Sequence, residues 1–229
     1  MSGTFSPHLE VLPQAQCELW PLLAPVSALG FVLYGGTAIA LRLGHRQSVD
    51  FDFFQDEPLD RSALNRALPS LAHAQVIQDQ PDTLSALIYV EGSTHDWVKV
   101  SFFGGIDFGR VGEPEQTTDR DVAVASLDDL MATKLKVMLQ RVEARDYRDV
   151  AAMLSAGVDL ARGLAAARAL FGPSFQPSES LKALAWFEGG DLATLEAHDR
   201  TALVDAVRAV RELPKLEIRS RRLQRDGRG

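Results

Sequence analysis

Residues 31–54, FVLYGGTAIALRLGHRQSVDFDFF, hold an apolar run, a Gly-Gly turn, a short helical pattern and two alternating aspartates in one unit. Phe31-Val32-Leu33-Tyr34 favours a strand and is stopped by Gly35-Gly36; Thr37 then opens Ala38-Ile39-Ala40-Leu41, a helical pattern reaching Gly44. Paired glycines let the backbone approach a ligand closely, and the free N–H groups that open the following helix favour an anion such as phosphate, with the Thr37 hydroxyl beside them. After Ser48, Val49-Asp50-Phe51-Asp52-Phe53-Phe54 alternates with period two. The spacing predicts a strand with Asp50 and Asp52 on one face and Val49, Phe51 and Phe53 in the core.

Two ionised carboxylates on one strand face have Cα atoms roughly 6–7 Å apart. Their repulsion is on the order of a few kcal/mol unless a cation lies between them. Mg²⁺ accepts one or two carboxylates plus triphosphate oxygens, which the neighbouring glycine turn would hold. An isolated Asp-x-Asp is more often the polar face of an edge strand; the upstream turn, and the depletion of Asp from strands, favour metal and phosphate here.

Gly35-Gly36-Thr37 followed by Ser48-Val49-Asp50-Phe51-Asp52-Phe53 resembles the signature of the nucleotidyltransferase superfamily, in the form carried by AbiEii/AbiGii-type toxins. The resemblance implies an α/β (α+β) fold, a mixed sheet flanked by helices with a helical C-terminal part. It also implies transfer of a nucleotide from an NTP, with Mg²⁺ on Asp50 and Asp52 and the nucleotide on Gly35, Gly36, Thr37 and Ser48.

The 229 residues, 46% hydrophobic, suffice for a sizeable core in two unequal lobes, expected at 1–125 and 126–229. A single Cys17 excludes an internal disulfide framework, and no signal-peptide pattern opens the chain, so a cytoplasmic location is expected. The uncharged run Leu19–Leu41 is broken by Pro21, Pro25, Gly30, Gly35 and Gly36, which argues against a membrane span. The net charge of −7 argues against a whole-surface nucleic-acid binder. It conceals an uneven spread, since residues 215–229 carry +4 and the rest −11. That tail is either a phosphate-gripping arm or a solvated, frayed end.

Leu59–Leu68 has helical spacing up to Pro69, and Ala74–Ile77, Leu84–Val90, Val98–Phe103 and Val122–Val124 read as strands, with turns at Pro81-Asp82 and Glu91-Gly92-Ser93. Many superfamily members carry a third carboxylate on a later strand. Here the alternating polar positions of Trp97–Phe102 are Lys99 and Ser101, and the nearest acids, Glu91, Asp96 and Asp107, fall at strand ends or in loops, leaving the general base unassigned.

Ser126 with Asp129 opens a helix whose apolar stripe is Leu127, Leu130, Met131, Leu135 and Met138. Lys134 occupies the missing stripe position, so it must snorkel or hold a counter-charge, of which a triphosphate is one; Lys136 reads as solvated. Residues 145–150, Arg-Asp-Tyr-Arg-Asp-Val, begin another helix with Tyr147, Val150 and Leu154 on its apolar side and Asp146 as a candidate N-cap. Lys134 with Arg145-Asp146-Tyr147-Arg148-Asp149 resembles the later motifs of the AbiEii-type family. That resemblance implies triphosphate binding by Lys134 and catalysis or positioning by Asp149, so the catalytic set is Asp50, Asp52, Lys134 and Asp149. Helices are predicted over Leu160–Phe171, Ser178–Phe187 and Thr201–Leu213, with Trp186 and Phe187 in the core.

The resemblance implies a toxin of a toxin–antitoxin pair, with tRNA or another RNA as the acceptor and a separately encoded antitoxin as partner. Two alternatives stand beside it: transfer to a small molecule, as in antibiotic-modifying relatives, and a nucleotide-binding module without turnover.

Overall fold

The computed structural model describes residues 3–92 and 97–225, which divide into two compact units. The α/β unit comprises residues 1–109, 113–125 and 220–229; residues 110–112 and 126–219 form the helical unit. The terminal segment therefore belongs with the first unit, unlike the expected lobe 126–229.

The elements of the α/β unit are β1 (Thr4–Phe5), α1 (Gln14–Leu19), α2 (Ala24–Ala28), β2 (Val32–Tyr34), α3 (Gly35–Leu43), β3 (Phe51–Phe54), α4 (Arg61–Ala67), β4 (Gln75–Gln80), β5 (Thr83–Tyr89), β6 (Trp97–Phe103), β7 (Glu115–Thr117) and β8 (Ala123–Val124). They build a mixed sheet in the order β1-β7-β8-β2-β3-β6-β5-β4. β3 is antiparallel to β2 and parallel to β6, so the aspartate strand runs through the middle of the sheet. Phe51 and Phe53 are fully buried on one face, where Phe51 stacks on Trp20 at 5.9 Å and Phe53 on Phe102 at 5.7 Å. Aromatic pairs of this kind add about 0.5–1.5 kcal/mol to the burial of their area.

Several boundaries differ from the sequence reading. The strand begins at Phe51, and Val49 is 49% exposed: its carbonyl accepts from Gln16 Nε2 in the loop leading to β3, so it never joins the alternation. β4 is a fully exposed edge strand with a bulge between Val76 and Gln78. β1 and β7 went unread; they form a parallel pair near Arg42, whose guanidinium bonds Glu115 Oε2 at 2.5 Å and the carbonyls of Val124 and Ala125. Ser93 and Asp96 lie outside the described residues, as do Asp226 and Arg228. The described part of the basic tail is docked: Leu223 is fully buried and donates its N–H to Asp56 Oδ1 at 2.9 Å, and Arg221 reaches the Asp107 carbonyl at 3.2 Å.

The helical unit holds α5 (Leu127–Val137), α6 (Ala144–Ser155), α7 (Leu160–Phe171), α8 (Pro177–Ala185) and α9 (Ala197–Ala209). α5 packs on α6 and α7, and α9 on α6 and α8. Gly163 permits the close approach of α7 to α5, since a Cβ there would lie 2.3 Å from Met131 Cγ. Ser126 caps α5 as expected, accepting from the Asp129 N–H at 3.1 Å. The buried Asp129 carboxylate receives the Ser126 hydroxyl and the N–H groups of Val111 and Gly112; burial pushes its carboxyl up even so. α8 stops at Ala185, which leaves Trp186 62% exposed rather than in the core. α9 starts four residues before the expected Thr201, at Ala197, with Asp199 in its first turn. Among the described residues no helix is long and apolar enough to cross a membrane.

Candidate functional site

In the α/β unit the site is built where β2 ends and β3 begins. Tyr34 is level with Asp52 across the antiparallel pair, so the chain leaving β2 turns directly beside the aspartate strand. The turn is Gly35, whose φ of +75° lies in the left-handed region that glycine alone adopts readily. A Cβ on Gly35 would stand 2.7 Å from Asp52 Oδ2, so the missing side chain is what lets the carboxylate lie against the opening of α3. α3 starts at this residue, and its N-cap, Tyr34, supplies no side-chain acceptor. A helix start without a side-chain cap presents N–H donors to an anion. Gly44, at φ +65°, closes the helix through its N–H to the Ala40 carbonyl at 2.8 Å.

Thr37 and Ser48, expected at the nucleotide, are bonded to each other and to the strand entry. Both are buried; Thr37 Oγ1 lies 2.7 Å from Ser48 Oγ and also donates to the Asp50 carbonyl. These bonds tie α3 to the residues leading into β3 and fix where the Asp50 carboxylate starts. Asp50 and Asp52 are half-buried, with the fully buried Phe51 between them pointing to the opposite face. Across the parallel pair, Ser101 stands level with Asp52 and is fully buried, and its hydroxyl accepts from Ser85 Oγ at 3.1 Å. β6 thus brings Lys99 and Ser101, and no carboxylate, to the aspartate face. Among the described residues no group of three or more His, Cys, Asp or Glu side chains is placed to hold a metal. The pair Asp50 and Asp52 fits Mg²⁺: both offer hard oxygen donors, Gly35 leaves the Asp52 carboxylate room, and the remaining ligands of an octahedral ion are commonly phosphate and water.

In the helical unit, Lys134 is 6% exposed and its counter-charges come from its own unit. Nζ lies 2.6 Å from Asp146 Oδ1 and 2.7 Å from Asp149 Oδ2, both carboxylates being fully buried. Asp146 and Asp149 are three residues apart on α6 and so share one face toward α5. Arg141, which the sequence reading passed over, adds Nε to Asp146 Oδ2 at 2.9 Å and Nη2 to Oδ1 at 3.1 Å. Asp146 is therefore not the N-cap; that place belongs to Glu143. Burial alone would raise the Asp146 carboxyl, but the hydrogen bonds from Arg141 and the charge and hydrogen bond of Lys134 outweigh it and hold the group below its ordinary value. Arg145 is exposed and pairs with Glu143. Lys136 is half-buried, bonding the Ser174 carbonyl at 2.7 Å, rather than freely solvated. An arginine seven positions after a stripe lysine was the available signal for this cluster; its closure depended on the loop 138–143.

Solved structures with this fold include an antigenic nucleotidyltransferase-like protein of Paracoccidioides brasiliensis, 16% identical with a TM-score of 0.55 over 91% of this chain and 95% of that one. Another is MenT4, a nucleotidyltransferase toxin of Mycobacterium tuberculosis H37Rv, 14% identical with a TM-score of 0.56 over 83% and 82% of the two chains. At such identities the likeness shows the fold alone. An uncharacterized protein of Aquifex aeolicus (strain VF5) is 32% identical over 122 residues, 52% of this chain; the chain spans about half the length of this curated relative, 55%. The family model described as nucleotidyl transferase AbiEii toxin, type IV toxin–antitoxin system, matches residues 22–219, a span that takes in the glycine turn, both aspartates, Lys134 and Asp149, and the chain belongs to that family.

Proposed function

We propose that the protein transfers a nucleoside monophosphate from an NTP to an acceptor hydroxyl, with Mg²⁺ held by Asp50 and Asp52 and the phosphates received by the backbone N–H groups of Gly35, Gly36 and Thr37. The observation that carries this reading is the Asp52 carboxylate lying where a Gly35 side chain would be, against the start of α3, whose N-cap residue supplies no side-chain acceptor. That arrangement brings a metal-binding carboxylate and an anion-binding turn within one ligand's reach. When bound, Mg²⁺ neutralises charge that develops on the phosphates. The chain's own part is positioning: Thr37 and Ser48 brace the Asp50 backbone, and Phe51 and Phe53 anchor the strand from below. The acceptor oxygen bonds to the α-phosphorus, the bond from that phosphorus to the β-phosphate breaks, pyrophosphate leaves, and the hydroxyl proton passes to water.

Membership in a toxin family of type IV supports an RNA acceptor, a separately encoded antitoxin and action in the cytoplasm. For Lys134 and Asp149 the salt bridge supports a structural task within the helical unit; nucleotide binding by Lys134 and positioning by Asp149 are further proposals from the family resemblance. A second reading, nucleotide binding without turnover, draws support from β6, which brings no carboxylate to the aspartate face. The test is incubation of the purified protein with α-labelled NTPs, Mg²⁺ and either total RNA or small hydroxyl acceptors. Label on RNA that vanishes with Asp52→Asn is the expected result. Label on small acceptors alone moves the reading to small-molecule modification, and tight Mg²⁺·NTP binding with no label on anything establishes the second reading.

A further inference from the structure

We propose that Tyr89, Trp97 and Lys99 form the seat of a single-stranded nucleic-acid end, which they hold so that its terminal hydroxyl meets Asp50 and Asp52. The proposal rests on the nucleotide-transfer reading and names its acceptor side. β6 runs parallel to β3 with Phe51 level with Val100 and Asp52 with Ser101, so Lys99 and Ser101 share the face of the aspartates; one step back in that register sets Lys99 level with Asp50. β5 is antiparallel to β6 with Tyr89 level with Trp97 and Leu87 with Lys99, which puts both aromatic rings on the same face. The order along the strand is then Ser101 beside Asp52, Lys99 beside Asp50, and Trp97 roughly 6–7 Å further out.

Each member of the row is placed for a ligand. Trp97 is 47% and Tyr89 50% exposed, and their rings meet edge to face with centroids 5.3 Å apart. Two large aromatic rings held together and half open to water make a platform on which a base can stack. The Lys99 side chain makes no hydrogen bond or ion pair with any other described residue, although its unit holds many acids. A cation followed at one strand repeat by a stacking platform matches the alternation of phosphate and base in a single strand, and every base has a face that stacks. A free nucleoside acceptor has no phosphodiester for Lys99 to meet. The opposite flank of β3 belongs to β2 and the Gly35 turn, so the donor's phosphates and the acceptor strand reach the aspartates from opposite sides. One lysine beside two stacking rings also reconciles nucleic-acid binding with a net charge of −7, since only the terminal nucleotides are gripped.

The test is fluorescence anisotropy of the full chain with a short 5′-labelled single-stranded RNA bearing a free 3′ hydroxyl, in parallel with calorimetry of Mg²⁺ and a non-hydrolysable NTP analogue. Trp97→Ala is expected to weaken RNA binding roughly 5- to 150-fold, and Trp97→Phe to keep most of the affinity. Tyr89→Ala lies between the two. Lys99→Gln is expected to reduce the slope of log affinity against log salt by about 0.7. The melting temperature and the affinity for the NTP analogue stay at wild-type values in all four. Equal RNA binding by wild type and Trp97→Ala overturns the proposal, as does a wild type that binds no RNA. A loss of NTP-analogue affinity in place of RNA affinity also overturns it and gives the rings to the donor's base. RNA binding that depends on Trp97, with no label transfer under any condition, leaves this surface standing and removes the transferase reading; label transfer untouched by Trp97→Ala does the reverse.

Discussion

Lys134→Met keeps the length of the side chain and removes the charge that two fully buried carboxylates share at 2.6 and 2.7 Å. Taking one partner from a buried ion pair is destabilising by about 3–5 kcal/mol, because the other partner is left charged without water. Arg141 still grips both oxygens of Asp146, so the lower end of that range, about 3 kcal/mol at pH 7, is expected. The deficit carries a pH signature. Asp146 has its folded value held below the ordinary one, so its contribution in the wild type is present above about pH 4 and fades as pH falls through the lowered value. In the variant a carboxylate relieves the loss by taking a proton, so the gap between wild type and variant is widest near pH 7 and narrows toward pH 4. Urea denaturation followed by circular dichroism at several pH values measures it. Asp149→Asn in the Lys134→Met background is expected to return part of the lost stability, with a coupling of about 0.5–3 kcal/mol between the two sites. A snorkelling lysine would instead make Lys134→Met neutral or stabilising by up to about 1 kcal/mol. That result, or a deficit that does not change with pH, refutes the ion-pair argument.

Asp50→Asn/Asp52→Asn is expected to abolish the rise in melting temperature produced by Mg²⁺ with NTP while leaving the free protein as stable or more so, which differential scanning fluorimetry reads directly. Gly35→Ala forces an unfavourable φ of +75° and pushes a methyl against Asp52 Oδ2, so it is expected to lower stability by about 1–3 kcal/mol and to remove the same ligand-induced rise. Asp129→Ala strips two buried backbone N–H groups of their acceptor and is expected to be destabilising by about 2–4 kcal/mol in urea, with Asp129→Asn losing less. Lys134→Met also settles the family-derived role: an NTP affinity weakened roughly tenfold or more in folded variant, measured by calorimetry at low urea-free temperature, assigns the lysine to the nucleotide, and unchanged affinity confines it to the ion pair.

The legible parts of the sequence were those whose signals are local. The glycine turn, the helix after it and the alternation at Asp50–Phe54 are each decided by neighbours within four residues, and the structure has them within a residue or two. The same holds for Ser126 at the head of α5 and for Leu160–Phe171. β1 was illegible because Thr4 and Phe5 are a strand only through pairing with Gln116 and Thr117, over a hundred residues away. Lys134 could be recognised as needing a counter-charge but not given one, since Asp146 and Asp149 arrive through a loop whose path no periodicity encodes. Thr37 and Ser48 read as ligand groups because hydroxyls beside a glycine turn serve that purpose or bind the turn to its neighbours; their burial and their bonds to each other and to the Asp50 carbonyl depend on how β3 returns beside α3, which no local pattern encodes. Ser178–Phe187 overran because the apolar pattern continues through Trp186 after the backbone has left the helix.

The docking of Leu223 has a consequence for how the molecule comes into being. The α/β unit closes its own packing with a segment that follows the whole helical unit in the chain, and the helical unit is in effect an insertion between two pieces of it. Domains generally fold as units during synthesis, from the N-terminus onward. Here the unit bearing the aspartates is completed only by residues 220–225, which follow the whole helical unit, so a chain cut before Leu223 leaves part of that unit's core uncovered and Asp56 without the Leu223 N–H.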